Sequence, residues 1–403
     1  MGIVREIPPT AGFALSFQEL FASWNKSGFP GTLEQDFSTY LNASYARVVA
    51  SGTAGMYYIA AAIKELSFKR TIIVPAYICP SVVLAIARAG LKVYACDVNA
   101  DNFDYDKHEL ARACAQNKDI AAIVAMHLGG FPADLDSVLE IARKNNILVI
   151  EDCAQSLGAE YRGQKVGTIG DISFFSMARG KGLTIYEGGV VATNLSRYAD
   201  LLDKKIIELE QETFWGEALT VAQLAGYAVF YRPQLLWWFY RLPEFFWHAT
   251  GQRMRELSEH FTLDFPVQKV SGFRKSVGHA EFARLKQEIE RQRRMAEKYR
   301  KELASTPEVS FMTEPANSRA TYPYLTLILD DNKAKKLMPL KQSGWGISDL
   351  FSAAIPDYEY LKNFMTAGPC PHARFLSQRI LTLSTSSFLT DEDFFKVCRL
   401  IKN

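Results

Sequence analysis

The chain has 403 residues, of which 48% are hydrophobic and 22% charged, so it carries enough apolar side chains for a large core and lacks the composition of a disordered protein. Its formal net charge is +2, from 46 Lys and Arg against 44 Asp and Glu, so no overall field draws it to nucleic acid and we expect no nucleic-acid partner. The six cysteines show no short paired spacing, which argues against a metal site or a disulfide scaffold and fits a reducing, cytoplasmic location.

The opening residues MGIVREIPPT contain an acidic residue and prolines where a secretory signal needs a continuous apolar stretch, and we therefore expect no export. From about residue 45 to 195, short β-rich runs alternate with helical stretches, which predicts an α/β fold with βαβ units around a mainly parallel sheet. The predicted strands cover residues 47–50, 71–74, 93–96, 120–125, 147–150 and 190–193. The predicted helices cover residues 53–65, 80–89, 107–116 and 135–145.

Residues that carry chemistry follow the ends of these predicted strands. They are Ser51-Gly52-Thr53, Pro75-Ala76-Tyr77, Asp97, His127 and Asp152. In open α/β sheets, ligands bind beyond the carboxyl ends of the strands, so the spacing predicts a ligand site at this edge.

An aromatic block over residues 213–248 holds four of the six tryptophans. Arg232 and Pro233 interrupt it, so it has no run of about 20 apolar residues and does not predict a membrane-spanning helix. Two interpretations remain: the aromatic side chains pack on the protein's own core or line a dimer interface, as most aromatic stripes do, or they form an interfacial membrane contact.

After residue 265 the pattern changes to a long charged helix over 279–303, a strand over 322–329, a glycine-rich turn at 344–346 and a closing helix over 391–401. This predicts a large domain over residues 1–260, with residues 213–248 as a helical insertion, and a small α+β domain over 261–403.

Two motifs in the first half of the chain suggest binding sites, one for a phosphate group and one for a cation. SGTAG at residues 51–55 opens a predicted helix, where free N–H groups and the helix dipole bind phosphate, although Ser or Thr there is also an ordinary N-cap. VIEDCAQS at 149–156 places Glu151 and Asp152 at the end of a buried strand, where a carboxylate needs a cationic partner. A pyridinium nitrogen is such a partner, and an ordinary ion pair or helix cap is the alternative, which we prefer for Glu151.

A third motif is GDISFFSMARGKGLTIYEGGVVAT at residues 170–193, in which Gly180 and Gly182 flank Lys181. A lysine on a loop is usually only solvated, but flanking glycines indicate close approach of the backbone to another group. A buried amine with a lowered pKa can attack a carbonyl, which Schiff-base chemistry requires.

Together, SGTAG, PAY, HLGGFPADLD, VIEDCAQSLGAEYRGQKVGTIGD, a Ser five residues before Lys, and EGGVVATN resemble the DegT/DnrJ/EryC1/StrS sugar aminotransferase family. The resemblance runs over most of the chain. It implies a fold type I transferase that uses pyridoxal 5'-phosphate and acts on nucleotide-linked keto sugars.

The resemblance also implies site residues. Lys181 would hold the cofactor as a Schiff base and move the proton, and Asp152 would pair with the ring nitrogen. Gln155 would lie near the phenolic oxygen of the ring. The phosphate would be held by Gly52, Thr53 and Ser176. The presence of Lys181 favours transamination over the dehydratase branch of the family, which has lost this lysine.

The sequence departs from the family at several of these places. The aromatic residue that usually covers the ring is replaced at Cys79, so either Tyr77 swings in or something smaller covers the ring. The Asn-aromatic-Arg turn that reaches the partner's phosphate is Gly272-Phe273-Arg274 here, and Ser271 is the alternative contact. Arg179 would either depress the pKa of Lys181 by like-charge repulsion or bind a substrate phosphate. We predict His127, Arg179 and Glu187 as substrate contacts.

The predicted function is transfer of an amino group from an amino acid, usually glutamate in this family, to a nucleotide-linked keto sugar for cell-surface polysaccharide or related glycan synthesis. The resemblance implies a homodimer with the site at its interface. If the aromatic block contacts the inner face of the membrane, a lipid-linked or amphiphilic keto substrate is the alternative. A non-catalytic regulator is a third possibility, against which the presence of both Lys181 and Asp152 argues.

Overall fold

The structure is a computed structural model that describes residues 5–12, 14–17, 19–20, 31–209, 213–238 and 261–403. The last ten residues of the aromatic block, 239–248, lie outside the described residues.

The described chain forms three sheets. The strands are β1 (Tyr45–Val49), β2 (Thr71–Pro75), β3 (Lys92–Cys96), β4 (Ile120–Met126), β5 (Leu148–Asp152), β6 (Glu160–Tyr161), β7 (Gln164–Lys165), β8 (Ile172–Ser176), β9 (Gly189–Thr193), β10 (Val309–Phe311), β11 (Ser318–Arg319), β12 (Tyr324–Leu329), β13 (Ile347–Ser348), β14 (Met365–Ala367) and β15 (Ile380–Ser384). The large sheet has eight strands in the order β1-β9-β8-β5-β4-β2-β3-β14, and β9 runs antiparallel to both of its neighbours while the other pairs are parallel.

Helices cover the faces of the large sheet, which is why β2 and β4 are buried along their whole length. The helices are α1 (Leu33–Leu41), α2 (Gly52–Leu66), α3 (Pro80–Arg88), α4 (Lys107–Gln116), α5 (Leu135–Asn145), α6 (Ser196–Ile207), α7 (Phe214–Phe230), α8 (Gly272–Phe282), α9 (Leu285–Leu303), α10 (Asp331–Leu337), α11 (Pro371–Arg379) and α12 (Asp391–Lys402). Short 3-10 turns occupy Leu128–Gly130, Met338–Gln342, Ile355–Asp357 and Glu359–Leu361.

The bounds of α5 show why some elements were predictable. The Asp134 side chain accepts from the Ser137 amide and starts the helix, and Asn146 ends it in the left-handed region at φ 48°. Both residue types signal helix ends in sequence, and the predicted helix over 135–145 has the bounds found in the structure.

The predicted single helix over 279–303 is wrong, because α8 ends at Phe282 and α9 begins at Leu285. Near the break both helices contact the same core, since Leu285 and Ile289 of α9 lie in the same buried cluster as Leu33 of α1, and their partners differ further along. A Cβ on Gly278 of α8 would lie 2.7 Å from a Leu33 methyl of α1, whereas Ala296 and Tyr299 of α9 pack in the core of the second sheet. The helical spacing of the sequence continues through residues 283–284, which is why it predicts a single helix.

The second sheet has four antiparallel strands in the order β10-β12-β15-β13. A further strand from the same part of the chain, β14, is the edge strand of the large sheet and pairs with β3 through Met365 opposite Val93. The division into residues 1–260 and 261–403 stays a prediction.

The first part of the aromatic block forms α7 and the turns after it. Leu224, Tyr227 and Tyr231 are buried in a cluster with Leu15 and Val277. Other large apolar residues of the same segment are exposed: Phe214 (76%), Trp215 (80%), Leu219 (60%) and Trp238 (59%). One side thus packs on the protein as the first interpretation expects. No described helix combines the length and hydropathy that a membrane crossing requires.

Candidate active site

A cavity of about 280 Å³ lies at the carboxyl ends of β4, β5 and β8, beside the first turn of α2. Its lining brings together eight of the site residues predicted from the sequence. They are Gly52, Thr53, Cys79, His127, Asp152, Gln155, Ser176 and Lys181. Phe261 and Phe351, which belong to none of the sequence motifs, also line it.

One end of the cavity is formed by the N-terminus of α2. The Ser51 hydroxyl caps the helix by accepting from the Ala54 amide at 3.0 Å. The amides of Gly52 and Thr53 are among the N–H groups that a helix leaves without an intrahelical acceptor. A Cβ on Gly52 would lie 3.1 Å from the Ser176 Cβ, so glycine lets the helix end approach the end of β8. This corner offers backbone donors and two hydroxyls to an anion.

Asp152, the last residue of β5, faces the same cavity with 6% of its surface exposed. Its Oδ1 accepts a hydrogen bond from the Ala154 amide at 3.0 Å. Burial raises the pKa of the Asp152 carboxyl, although the Ala154 amide and the charges of Lys181 and His127 act in the opposite direction. A cation placed in the cavity would therefore stabilise the ionised form.

Lys181 lies in a turn after β8, and residues distant in sequence hydrogen-bond to this turn. Gly180 adopts φ 73°, its carbonyl accepts from the Thr10 hydroxyl at 2.7 Å, and its amide donates to the Tyr227 hydroxyl at 3.4 Å. Burial lowers the pKa of the Lys181 amine, while Cys79 and Asp152 raise it in part. A lowered pKa increases the neutral fraction of the amine, which is the nucleophilic form.

Glu151 lies next to Asp152 but is fully buried on the other face of β5. Its Oε1 accepts from the amides of Ile169 (2.8 Å) and Gly170 (2.6 Å). Its Oε2 accepts from the Gly167 amide at 2.6 Å and lies 3.1 Å from the His127 Nε2. Glu151 thus holds the loop before β8, in agreement with the structural role preferred for it above.

Both ring nitrogens of His127 are used within the protein. Nδ1 accepts from the Ala133 amide at 2.9 Å, so the proton of a neutral ring sits on Nε2 and is donated to Glu151. His127, Glu151 and Cys153 have potential metal-ligating atoms within 4.8 Å of one another. These hydrogen bonds account for the first two, and burial raises the pKa of the Cys153 thiol well above its usual value, which disfavours the thiolate that a metal needs.

The Gln155 side chain is fixed at its oxygen. Its Oε1 accepts from the Gly129 amide at 2.9 Å and from the Tyr324 hydroxyl. Tyr324 begins β12 of the second sheet and was not predicted as a site residue. The sequence carries no local signal for it, because the contact joins residues 169 positions apart.

Of the two residues considered for covering the ring, only Cys79 lines the cavity. Its sulfur lies 3.1 Å from the Ser81 hydroxyl, and burial raises the pKa of its thiol. Tyr77 is fully buried outside the cavity, where its hydroxyl donates to the Phe351 carbonyl at 3.1 Å and accepts from the Phe351 amide at 3.2 Å. Cys79 is thus the residue of the two that is placed to contact a ring.

Arg179 and Glu187 lie outside the cavity lining. The Arg179 guanidinium stacks over the Tyr186 ring at 4.9 Å and faces a second cavity of about 310 Å³. The lowered pKa of Lys181 has burial as its cause, not the charge of Arg179, so the first of the two roles considered for Arg179 is not what the structure shows. Glu187 is exposed, and its carbonyl accepts from Arg274 at 3.0 Å.

Ser271 and Arg274 are both engaged within their own chain. The Ser271 hydroxyl caps α8 by accepting from the Arg274 amide at 3.2 Å. The Arg274 side chain is 5% exposed and pairs with Glu217 of α7 at 3.2 Å.

The cavity residues fit pyridoxal phosphate. The α2 corner suits its phosphate, the buried Asp152 carboxylate suits a protonated ring nitrogen, and the Lys181 amine suits its aldehyde. The small residues at the corner leave room for close approach, since even a Cβ on Gly52 would press on Ser176.

Comparison with solved structures supports the fold. Helicobacter pylori PseC, described as an aminotransferase involved in the biosynthesis of pseudoaminic acid, superposes with a TM-score of 0.76 at 15% identity and covers 98% of both chains. The predicted α/β fold of type I transferases is confirmed.

Comparison of sequences gives relatives that are 25–28% identical to this chain over most of its length, and others that match only part of it. GDP-perosamine synthase of Vibrio cholerae is 25% identical over 92% of this chain and 89% of that protein. GDP-4-keto-6-deoxy-D-mannose 3-dehydratase of Yersinia pseudotuberculosis is 28% identical over 71% and 67%. The chain spans only 42–48% of the length of three further relatives that it matches.

The sequence profile of the DegT/DnrJ/EryC1/StrS aminotransferase family matches residues 21–221 and 251–402, which is most of the chain. The chain belongs to this family, as the resemblance of its motifs predicted.

Proposed function

We propose that the protein is a pyridoxal-phosphate-dependent aminotransferase that moves an amino group from an amino acid, glutamate first among the candidates, to a nucleotide-linked keto sugar for glycan synthesis. The observation that carries the proposal is the convergence of Lys181, Asp152 and the α2 corner on one cavity. The name of the Vibrio cholerae relative supports the substrate class.

When bound, pyridoxal phosphate would supply an aldehyde carbon that takes up the amino group and a ring that takes up electrons. The Lys181 amine would hold the cofactor through that aldehyde. When a substrate amine has displaced it, Lys181 would accept the proton from the donor's α-carbon and later donate a proton to the acceptor carbon. Asp152 holds a proton on the ring nitrogen, a charge interaction that is in place before reaction. The amides of Gly52 and Thr53 and the Ser176 hydroxyl bind the phosphate.

Dehydration is the competing chemistry, because one relative carries a dehydratase name. Lys181 supports transamination, since the dehydratase branch of the family lacks this lysine. Its place on the cavity wall, with a lowered pKa, suits the role of acid and base.

The test is borohydride reduction of the cofactor-loaded protein followed by peptide mass spectrometry. We expect the pyridoxyl group on the peptide that contains Lys181. Lys181→Ala should lose the visible absorption and slow amino transfer from glutamate by about 10⁴-fold. Lys205→Ala, on the exposed side of α6 where the lysine pairs with Glu65, is the matched control and should behave as wild type. A Lys181→Ala protein with the wild-type rate would overturn the assignment.

The proposal includes a cytoplasmic homodimer with the site at its interface. The exposed apolar side of α7 supports an interaction there, since Trp215 and Leu219 are otherwise left in water. Light scattering should give a dimer mass, and Trp215→Ser should weaken it. If the protein is a monomer that instead floats with phospholipid vesicles, the aromatic block serves a membrane and not a second copy.

A further inference from the structure

Tyr324 is the first residue of β12, and it links the four-stranded sheet to the cofactor cavity. Within this sheet it pairs with Ser384 of β15. The residue is 4% exposed, and its hydroxyl donates to the Gln155 Oε1. A Cβ on Gly129 would lie 3.3 Å from the Tyr324 ring, so the ring packs directly on the turn after β4.

The neighbouring contacts hold this segment and the turn together. The Thr321 amide donates to the Gly130 carbonyl at 3.1 Å, and a Cβ on Gly130 would lie 2.4 Å from the Thr321 hydroxyl. The rings of Phe131 and Tyr322 meet edge to face at 5.4 Å. These contacts between residues 321–322 and the turn at 130–131 fix the start of β12 on the turn, and so they fix the position of the Tyr324 hydroxyl.

The hydrogen bonds also fix which way the Gln155 amide points. The Gly129 N–H can only donate, so the atom that receives it at 2.9 Å must be the oxygen of Gln155. The Tyr324 hydroxyl donates to this same oxygen. Burial raises the pKa of the Tyr324 phenol, so the phenol keeps its proton at neutral pH. With both contacts on Oε1, the NH2 group has no acceptor among the described residues and is left for the cavity that Gln155 lines.

We propose that Tyr324 is a positioning residue that, with the Gly129 amide, fixes the Gln155 side chain so that its NH2 group donates to the phenolic oxygen of the bound cofactor. This inference rests on the proposed function. Tyr324 does not line the cavity, but through Gln155 its hydroxyl influences the pKa of the bound cofactor.

The consequence is measurable in the spectrum of the bound cofactor. A donor at the phenolic oxygen stabilises its negative charge, so losing the donor lets the protonated form persist to higher pH. The worth of one hydrogen bond corresponds to a shift of roughly half a pH unit to one unit.

The experiment titrates the visible absorption of the cofactor-loaded protein with pH in Tyr324→Phe, which removes only the hydroxyl. We expect the midpoint to rise by about half a unit to one unit. Tyr322→Phe is the matched control: its hydroxyl, two residues away, donates to Glu314, and we expect no shift. Gln155→Ala should raise the midpoint at least as much, and the double variant Tyr324→Phe/Gln155→Ala should match Gln155→Ala alone, because Tyr324 acts through Gln155.

The outcomes separate this inference from the proposed function. A wild-type protein with no visible cofactor band contradicts the proposed function itself. A wild-type band whose midpoint is the same in Tyr324→Phe and Tyr322→Phe leaves that function standing and overturns the role of Tyr324. If Tyr324→Phe does not fold, Gln155→Ala decides, since an unchanged midpoint there removes the donor that Tyr324 is inferred to place.

Discussion

The two faces of β5 at its carboxyl end place neighbouring carboxylates in opposite situations. Glu151 lies on the face turned away from the cavity (the inner face), where it accepts from three amides and contacts the His127 ring. Asp152, on the cavity face, accepts from one amide among the described residues, that of Ala154, and burial raises the pKa of its carboxyl. A buried carboxylate saturated by the protein's own donors holds structure, whereas one left with a single donor beside a cavity is available to a ligand.

The largest difference that we expect between Asp152 and Glu151 is in the rate of catalysis. Asp152→Asn should slow the half-reaction with glutamate by about 10²–10³-fold, because an amide cannot keep the ring nitrogen protonated. Stopped-flow absorbance of the cofactor-loaded protein measures this rate. An unchanged rate in this variant would remove Asp152 from the mechanism. The carboxylates on the two faces of β5 would then both be structural.

Substitution of Glu151, on the inner face, should lower the stability of the protein. Glu151→Gln replaces one carboxylate oxygen by an NH2 group that meets N–H donors, so the free energy of unfolding should fall by about 3 kcal/mol. Urea unfolding of the cofactor-free protein measures it. Glu140→Gln is the control, because Glu140 is exposed and pairs with Lys144, and it should leave the free energy of unfolding close to the wild-type value. Equal losses in the two variants would contradict the network around Glu151.

The smallest effect is the pH dependence of the cofactor-free protein. Because burial raises the pKa of Asp152 in the folded state, the folded chain binds the proton more tightly than the unfolded chain. Stability relative to Asp152→Asn should therefore be highest below the unfolded pKa of roughly 3.9 and fall as pH rises through the raised folded pKa. Urea unfolding of both proteins over this range measures the difference. A gap that stays constant with pH would mean that Asp152 is not desolvated.

Much of the site was predictable because its residues follow strand ends in one stretch of sequence. Asp152, Gln155, Ser176 and Lys181 come from residues 152–181, and the pattern of buried strands brings their carboxyl ends to one edge. Tyr324 could not be found this way, because its contact depends on how the second sheet packs.

Direction was harder to predict than position. Sequence places Arg179 two residues from Lys181, but the left-handed Gly180 between them turns the two side chains toward different cavities. The sequence also does not predict the break between α8 and α9. The helical spacing continues through residues 283–284, and neither Ala283 nor Arg284 is a helix breaker.

The strand β14 has a consequence for how the protein is made. Met365–Ala367 pairs with the outer side of β3, so the backbone groups on that side of β3 stay unpaired until this segment has been synthesised. During this interval the nascent large sheet presents a template to which other extended chains can add. A fragment ended at residue 260 would keep that open edge permanently, and we expect it to aggregate where the full chain does not.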